Sequence, residues 1–193
     1  MLDKIKKIRE QTGAGIVEVK KALEEASGDE AKAIEILRKR GKEKAIKKSE
    51  RTASEGMVTA YVHSNERVGA MVKLLCETDF VARNEEFKSL ARDIAMHITA
   101  MNPKYLKPED VSEKELEKER EIWMAQVSQE GEKPKEIIAK IMEGKERKYR
   151  AEVSLMTQAY VKNPDQTIAD LIAEKIAKIG ENIQVGGFSR MEL

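Results

Sequence analysis

Four side chains in this sequence have the types needed for nucleophilic or acid–base work: Cys76, His63, His97 and Asp79. A thiol beside an imidazole, with a carboxylate to orient the ring, makes a nucleophile and its base. The surroundings of Cys76 argue against that use. It shares an alternating face with Val68, Ala70, Val72 and Leu74, which predicts a buried, inert thiol, because unpaired cysteine commonly behaves as a small apolar residue. The two histidines are separated by a strand, a loop and most of a helix, which is no metal-ligand spacing, and no cysteine pair supports them. Thr12-Gly13-Ala14-Gly15 has the glycines of a phosphate loop but lacks its lysine and hydroxyl residue, and it joins two helices rather than a strand and a helix. These groups predict no catalytic residues, no metal site and no cofactor.

Thr78-Asp79-Phe80-Val81-Ala82-Arg83 is a different kind of segment. It lies where a strand pattern gives way to a helical one. Phenylalanine is scarce, occurring only as Phe80, Phe87 and Phe188; Phe87 fits an apolar helix stripe and Phe188 sits among glycines. An aromatic ring beside an acid at such a junction can project as a rigid wedge. Alternatively, Thr78 caps the following helix, Asp79 favours its positive end, and Phe80 packs underneath. Spacing leaves both readings open.

The elements that must position these residues can be read from periodicity. Leu2, Ile5 and Ile8 form one helical stripe, interrupted at Thr12–Gly15; Ile16, Val19, Leu23 and Ala26 form a second, ending at Ser27-Gly28. Asp29 caps a third helix carrying Ala33, Ile34 and Leu37, with Gly41 as its predicted stop. Residues 42–54 carry Lys42, Lys44, Lys47, Lys48 and Arg51 with few apolar anchors, and read as an exposed basic linker. Alternation over 57–63 and again over 68–75, joined by Ser64-Asn65-Glu66-Arg67, predicts an antiparallel hairpin. Helical spacing returns at Phe87, Leu90, Ala91, Ile94, Ile98 and Met101 and ends at Asn102-Pro103. A polar helical segment follows over about 109–150, broken between Gly131 and Pro134. Glu152 to Val161 reads as a strand, Thr167 to Ile179 as a capped helix stopped by Gly180, and Ile183 and Val185 begin a last strand. The fold class is α+β: a three-helix domain over 1–41, the linker over 42–54, and a core over 55–193 in which helices cover a small antiparallel sheet.

Composition narrows the function classes. The 193 residues include 36 basic and 35 acidic side chains, interspersed to a net charge of +1, without the basic excess or segregated face expected of a nucleic-acid binder. An RNA-binding role for 42–51 would need steep salt dependence. One cysteine forms no intrachain disulfide and fits a reducing compartment. The amphipathic, charged N-terminus has no signal-like apolar stretch, and no run approaches membrane-spanning length. The expectation is a cytoplasmic protein that binds no membrane.

Several segments together resemble the elongation factor Ts family. They are Cys76 to Arg83; Ile8-Arg9-Glu10-Gln11-Thr12-Gly13-Ala14-Gly15 continuing to Lys20–Leu23; Lys107 to Val111; Met142 to Lys145; Gln158 to Val161; and Gly180-Glu181-Asn182-Ile183. The likeness runs nearly end to end. It implies a ubiquitin-associated-like three-helix domain and a core that both grip EF-Tu, in its GDP-bound and nucleotide-free states. It also implies that Asp79 and Phe80, within Thr78–Val81, disturb the Mg²⁺ and phosphate site of that GTPase and so release GDP. EF-Tu contacts would come from Arg9, Thr12, Gly13, Ala14, Gly15, Ile16 and Val17, and from Ala82 and Arg83. Relatives often carry other residues at Ile16 and Val17, many have cysteine at the position of Val19, and a more basic pair at Gly186-Gly187. Because the chain lacks the duplicated core of longer relatives, the resemblance implies a homodimer and a two-plus-two assembly. Two other classes compete: a helical interaction module without exchange activity, for which Phe80 is dispensable, and a cysteine hydrolase, which thiol alkylation would abolish.

Overall fold

The structure is a computed structural model that describes residues 2–129, 131 and 133–193. In chain order it contains α1 (Leu2–Thr12), α2 (Ile16–Glu25), α3 (Glu30–Lys48), β1 (Glu55–Val62), β2 (Val68–Cys76), α4 (Asp79–Ala82) and α5 (Glu85–Met101). There follow α6 (Glu113–Gln129), α7 (Lys135–Val153), β3 (Ala159–Tyr160), β4 (Asn163–Thr167), α8 (Ile168–Ile179) and β5 (Ile183–Glu192). This is the α+β class expected. The chain divides into two compact units, Met1–Thr99 with Ala169–Leu193, and Ala100–Ile168.

In the first unit, α1 to α3 bury one shared apolar cluster of Ile5, Ile8, Val19, Ala22, Leu23, Ala26, Ala33 and Leu37. Val19 is fully buried there, so the aliphatic side chain serves packing at the position where relatives carry cysteine. Gly13, at φ +67°, ends α1 in the left-handed conformation that glycine adopts without steric cost. Asp29 caps α3, its carboxylate accepting the Lys32 amide at 3.1 Å.

The third helix does not stop at Gly41. It continues to Lys48, so most of the predicted basic linker is helical. Gly41 is buried within α3, and a Cβ placed on it would sit 3.6 Å from the Ala177 Cβ of α8. The glycine therefore marks a close approach of two helices rather than a terminus. The lysines that made this stretch look solvated have partners: Lys42 pairs with Asp170 at 2.6 Å, Lys44 with Glu18, and the Lys48 ammonium donates to the Gly180 carbonyl.

The sheet of this unit has the antiparallel order β1-β2-β5. Ala70, Val72, Leu74 and Cys76 of β2 and Ile183 and Val185 of β5 are buried on one face. In the same unit, α5 contributes a buried stripe of Phe87, Leu90, Ala91, Ile94 and Ile98, and the Arg190 guanidinium of β5 donates to the Thr99 carbonyl at 3.1 Å. A bulge interrupts the β2–β5 register between Lys73 and Leu74, opposite Gly186. A Cβ at Gly186 would lie 2.6 Å from Lys73 Cε, and Gly187 has φ +145°. The glycine pair is thus what the bulge requires.

In the second unit, α6 buries Leu116, Trp123 and Val127, and the Trp123 ring meets Tyr149 of α7 edge-on at 5.7 Å between centroids. Glu115 of α6 accepts hydrogen bonds from Lys104 at 2.8 Å and from the hydroxyls of Tyr105 and Tyr149. The strand predicted over Glu152–Val161 is mostly not one. Glu152 and Val153 finish α7, Leu155–Thr157 makes a tight helical turn, and only Ala159–Tyr160 is extended, pairing with β4. Thr157 Oγ1 donates to the Ala151 carbonyl and Gln158 Nε2 to the Glu152 carbonyl, both at 2.8 Å. These side chains satisfy carbonyls at the end of α7 and fold the segment back on it. Among the described residues no helix is long and apolar enough to cross a membrane.

Candidate partner-binding site

The segment from Cys76 to Arg83 leaves the sheet at the end of β2 and turns at once into the single-turn helix α4. Thr78 is its cap: the backbone is extended (φ −128°, ψ 155°) and Oγ1 accepts the Val81 amide at 3.4 Å. Asp79 occupies the first turn, where the helix dipole favours a negative charge, and its carboxylate pairs with Arg83 at 3.1 Å. So far this is the capped-helix reading. Phe80, however, does not pack beneath the turn; it is 81% exposed. Val81 and Ala82 are half-buried and Arg83 is exposed. The cap and the projecting ring coexist.

A four-residue helix with no buried side chain has little intrinsic stability, so its position depends on what holds the turn. Glu181, in the turn between α8 and β5, supplies that hold. Its carboxylate accepts the Glu77 amide at 3.1 Å, the Thr78 amide at 3.0 Å and the Thr78 hydroxyl at 2.7 Å. In return, Glu77 Oε1 accepts the Asn182 amide at 2.6 Å. Asn182 is buried, and its side-chain amide donates to the Arg51 carbonyl at 2.7 Å, beyond the end of α3. Cys76 is buried beside this network with its thiol donating to the Thr78 carbonyl at 3.2 Å. Desolvation, together with the negative charge of Glu181, pushes the thiol up to about 11. It stays protonated at neutral pH and packs as an apolar residue. Among the described residues no group of three or more His, Cys, Asp or Glu is gathered as metal ligands are.

The second candidate segment is the α1–α2 turn. Arg9 is exposed at the end of α1. Thr12 Oγ1 donates to the Ile8 carbonyl at 2.7 Å and accepts the Ala14 amide at 3.3 Å, which closes the turn locally. Gly15 precedes α2, its amide donating to Glu18 at 3.4 Å; the hydrogen bond from Lys44 holds that carboxyl below its ordinary range. Ala14 packs on the shared core. Ile16 and Val17, at 55% and 66% exposed, stand outward from the first turn of α2. Gly13 faces inward: a Cβ there would meet Lys178 Cδ of α8 at 2.6 Å. Lys178 in turn pairs with Glu86, in the first turn of α5, and Lys175 approaches the same carboxylate at 3.9 Å. Through α8 the structure ties the α1–α2 turn to the start of the helix that follows the Phe80 segment.

Glu77, Glu181 and Asn182 were legible only as members of matching segments. Their polar types gave no hint of a joint role, because Thr78 and Glu181 lie 103 residues apart.

An exposed aromatic ring on an anchored turn and apolar side chains displayed on a small helical domain are surface features of the class of proteins that bind other macromolecules. Comparison with known proteins gives the class a family. A family model described as "Elongation factor TS" matches residues 3–193. Proteins named elongation factor Ts are similar along nearly the whole length: that of Carboxydothermus hydrogenoformans is 54% identical over 98% of this chain and 87% of its own. Those of Thermodesulfovibrio yellowstonii and Thermotoga petrophila are 51% and 52% identical, over 98% and 100% of this chain and 94% and 95% of theirs. The chain belongs to the elongation factor Ts family, and its role is in translation elongation.

Proposed function

We propose that the chain is a guanine-nucleotide exchange factor for EF-Tu, acting in the cytoplasm as a protein partner that makes and breaks no covalent bond. The observation that carries this reading is Phe80, a large apolar ring held 81% exposed on a polar-anchored turn. Exposing such a ring costs hydration free energy, on the order of 1.5–3 kcal/mol, which contact with a partner recovers.

GDP is held by a phosphate cradle and by a Mg²⁺ ion that offsets phosphate charge. A wedge of Asp79 and Phe80, backed by Thr78 and Val81, displaces the part of EF-Tu that holds the ion. The phosphate oxygens are then poorly compensated and nucleotide affinity falls. Arg9, Ile16 and Val17, with the Thr12–Gly15 turn, supply a second grip on the GTPase, and Ala82 and Arg83 flank the wedge. Thermodynamic reciprocity requires that a factor which weakens GDP binding be itself weakened by GDP. Both the GDP-bound and nucleotide-free partner are therefore bound, the latter more tightly.

A homodimer, giving a two-plus-two complex, is supported by the outer face of the sheet. Val58, Val62, Met71 and Met191 are 47–70% exposed on the face opposite the buried one, and several exposed apolar side chains on one sheet face are characteristic of interfaces.

The test is stopped-flow release of a fluorescent GDP analogue from EF-Tu, with the wild-type chain and with Phe80→Ala. Acceleration by the wild type that is lost or strongly reduced in the variant supports exchange and the wedge. Full acceleration by the variant removes the wedge, and none by the wild type leaves a binding module without exchange activity.

A further inference from the structure

The wedge turn is held by residues that no role assigned so far absorbs. We propose that Glu181 is the positioning residue of the wedge, fixing Phe80 through the Glu77–Thr78 backbone, and that Asn182 ties the same turn to the segment leaving α3. The proposal rests on the exchange reading above for its functional consequence, but the anchoring itself is a separate, measurable claim.

Three donors converge on one carboxylate: the amides of Glu77 and Thr78 on Oε2 at 3.1 and 3.0 Å, and the Thr78 hydroxyl on Oε1 at 2.7 Å. Charge-assisted bonds of this kind are roughly twice as strong as neutral ones. Because the Thr78 hydroxyl spends its proton on Glu181, its lone pair faces the Val81 amide at 3.4 Å. Glu181 thereby orients the cap that starts α4, and α4 carries Phe80. Apolar packing adds little to this anchor, since Val81 and Ala82 are only half-buried and α4 fully buries no side chain.

The network extends to the end of α3. Glu77 accepts the Asn182 amide at 2.6 Å and lies 3.6 Å from the Arg51 guanidinium. The Asn182 side chain holds the Arg51 carbonyl at 2.7 Å. Two residues earlier, the Gly180 carbonyl accepts from Lys48, the last residue of α3. The three residues Gly180-Glu181-Asn182 thus fasten the end of α3, which carries the N-terminal helices, and the wedge turn to a single point. This geometry gives the pressing ring a fixed backstop.

The test uses Glu181→Gln, which keeps the shape but removes the charge and leaves one acceptor oxygen where three donors converge on two, in the full chain with EF-Tu. In the exchange assay the limiting release rate falls about tenfold or more. The half-saturating factor concentration changes less than about threefold, because the N-terminal contacts are intact. Glu181→Gln combined with Phe80→Ala behaves like Phe80→Ala alone, a non-additivity expected only if one residue acts through the other. Amide hydrogen exchange gives the independent readout: the Glu77 and Thr78 amides are protected in wild type and lose protection in Glu181→Gln, while β2 amides before Cys76 keep theirs. Should that variant fold poorly, Thr78→Val, which removes only the hydroxyl, shows the same non-additivity with Phe80→Ala at smaller amplitude. Unchanged release by Glu181→Gln, or a full extra loss on top of Phe80→Ala, overturns the proposal. A wild type that accelerates nothing sinks the exchange reading, while retained protection in Glu181→Gln separately sinks the anchor.

Discussion

Phe80 is the residue on which function and stability part company. An exposed ring contributes little to folding, so Phe80→Ala leaves the unfolding free energy within about 0.5 kcal/mol of wild type. If the ring presses on EF-Tu, the same change lowers the limiting GDP-release rate about tenfold or more, equivalent to about 1.4 kcal/mol of differential binding. Thermal unfolding and stopped-flow release, run side by side, check both halves; a large loss of stability contradicts the exposed placement. Its scarcity and its junction position made Phe80 visible in the sequence. Whether it projected or packed was not visible, because six residues at a strand–helix junction do not encode which side is covered. The anchoring role of Glu181 was invisible for another reason: its partners are more than a hundred residues away in the chain, and local pattern carries no such pairing.

Among the elements, the glycines teach the most. Glycine as a helix stop was read correctly after α1 and after α8, where Gly13 and Gly180 take φ of +67° and +92°. It was misread at Gly41, because a helix end and a close helix crossing both favour a missing Cβ. The two cases make opposite predictions. At Gly41 an added methyl meets Ala177 at 3.6 Å, an ordinary contact, so Gly41→Ala stabilises the chain by about 0.5–1 kcal/mol through helix propensity. At Gly13 the added methyl meets Lys178 at 2.6 Å in a left-handed backbone, so Gly13→Ala destabilises by about 1–3 kcal/mol. Urea titrations read both, and the same sign at the two sites refutes the assignment. The apolar stripes, hairpin and last strand were legible because each carries its period over a whole element. The β3–β4 pair was not, being short, polar and set by side-chain bonds to the end of α7.

The α6–α7 pair also predicts a pH response. Hydrogen bonds from Lys104, Tyr105 and Tyr149 pull the Glu115 carboxyl from 4.5 down to about 2. A depressed carboxyl stabilises the fold above its unfolded value, and that contribution is lost as pH falls from about 4.5 toward about 2. It amounts to at most about 3.5 kcal/mol at one pKa unit per 1.4 kcal/mol, less for the solvent that reaches the site. Glu115→Gln is therefore less stable than wild type at neutral pH, with the difference shrinking in acid. The single tryptophan, Trp123, packed on Tyr149, reports the unfolding by fluorescence. A difference that grows in acid has the wrong sign for this assignment.

At the scale of the whole molecule, the order and spacing of the matching segments carried the functional reading, and the family places the chain in translation elongation. The exposed sheet face predicts that the chain behaves as a dimer in light scattering at micromolar concentration. Val58→Glu, on that face, lowers the mass to that of a monomer with helix and sheet content intact; a monomeric wild type contradicts the dimer. The most direct test of the central claim is turnover. EF-Tu loaded with a fluorescent GDP analogue is mixed with excess unlabelled GDP and a substoichiometric amount of this chain. Exchange of the entire labelled pool, at a rate proportional to the chain's concentration, is the predicted result, because incoming GDP weakens the factor's hold by the same coupling and frees it to act again. Release no faster than EF-Tu alone, even with the chain in excess, contradicts it.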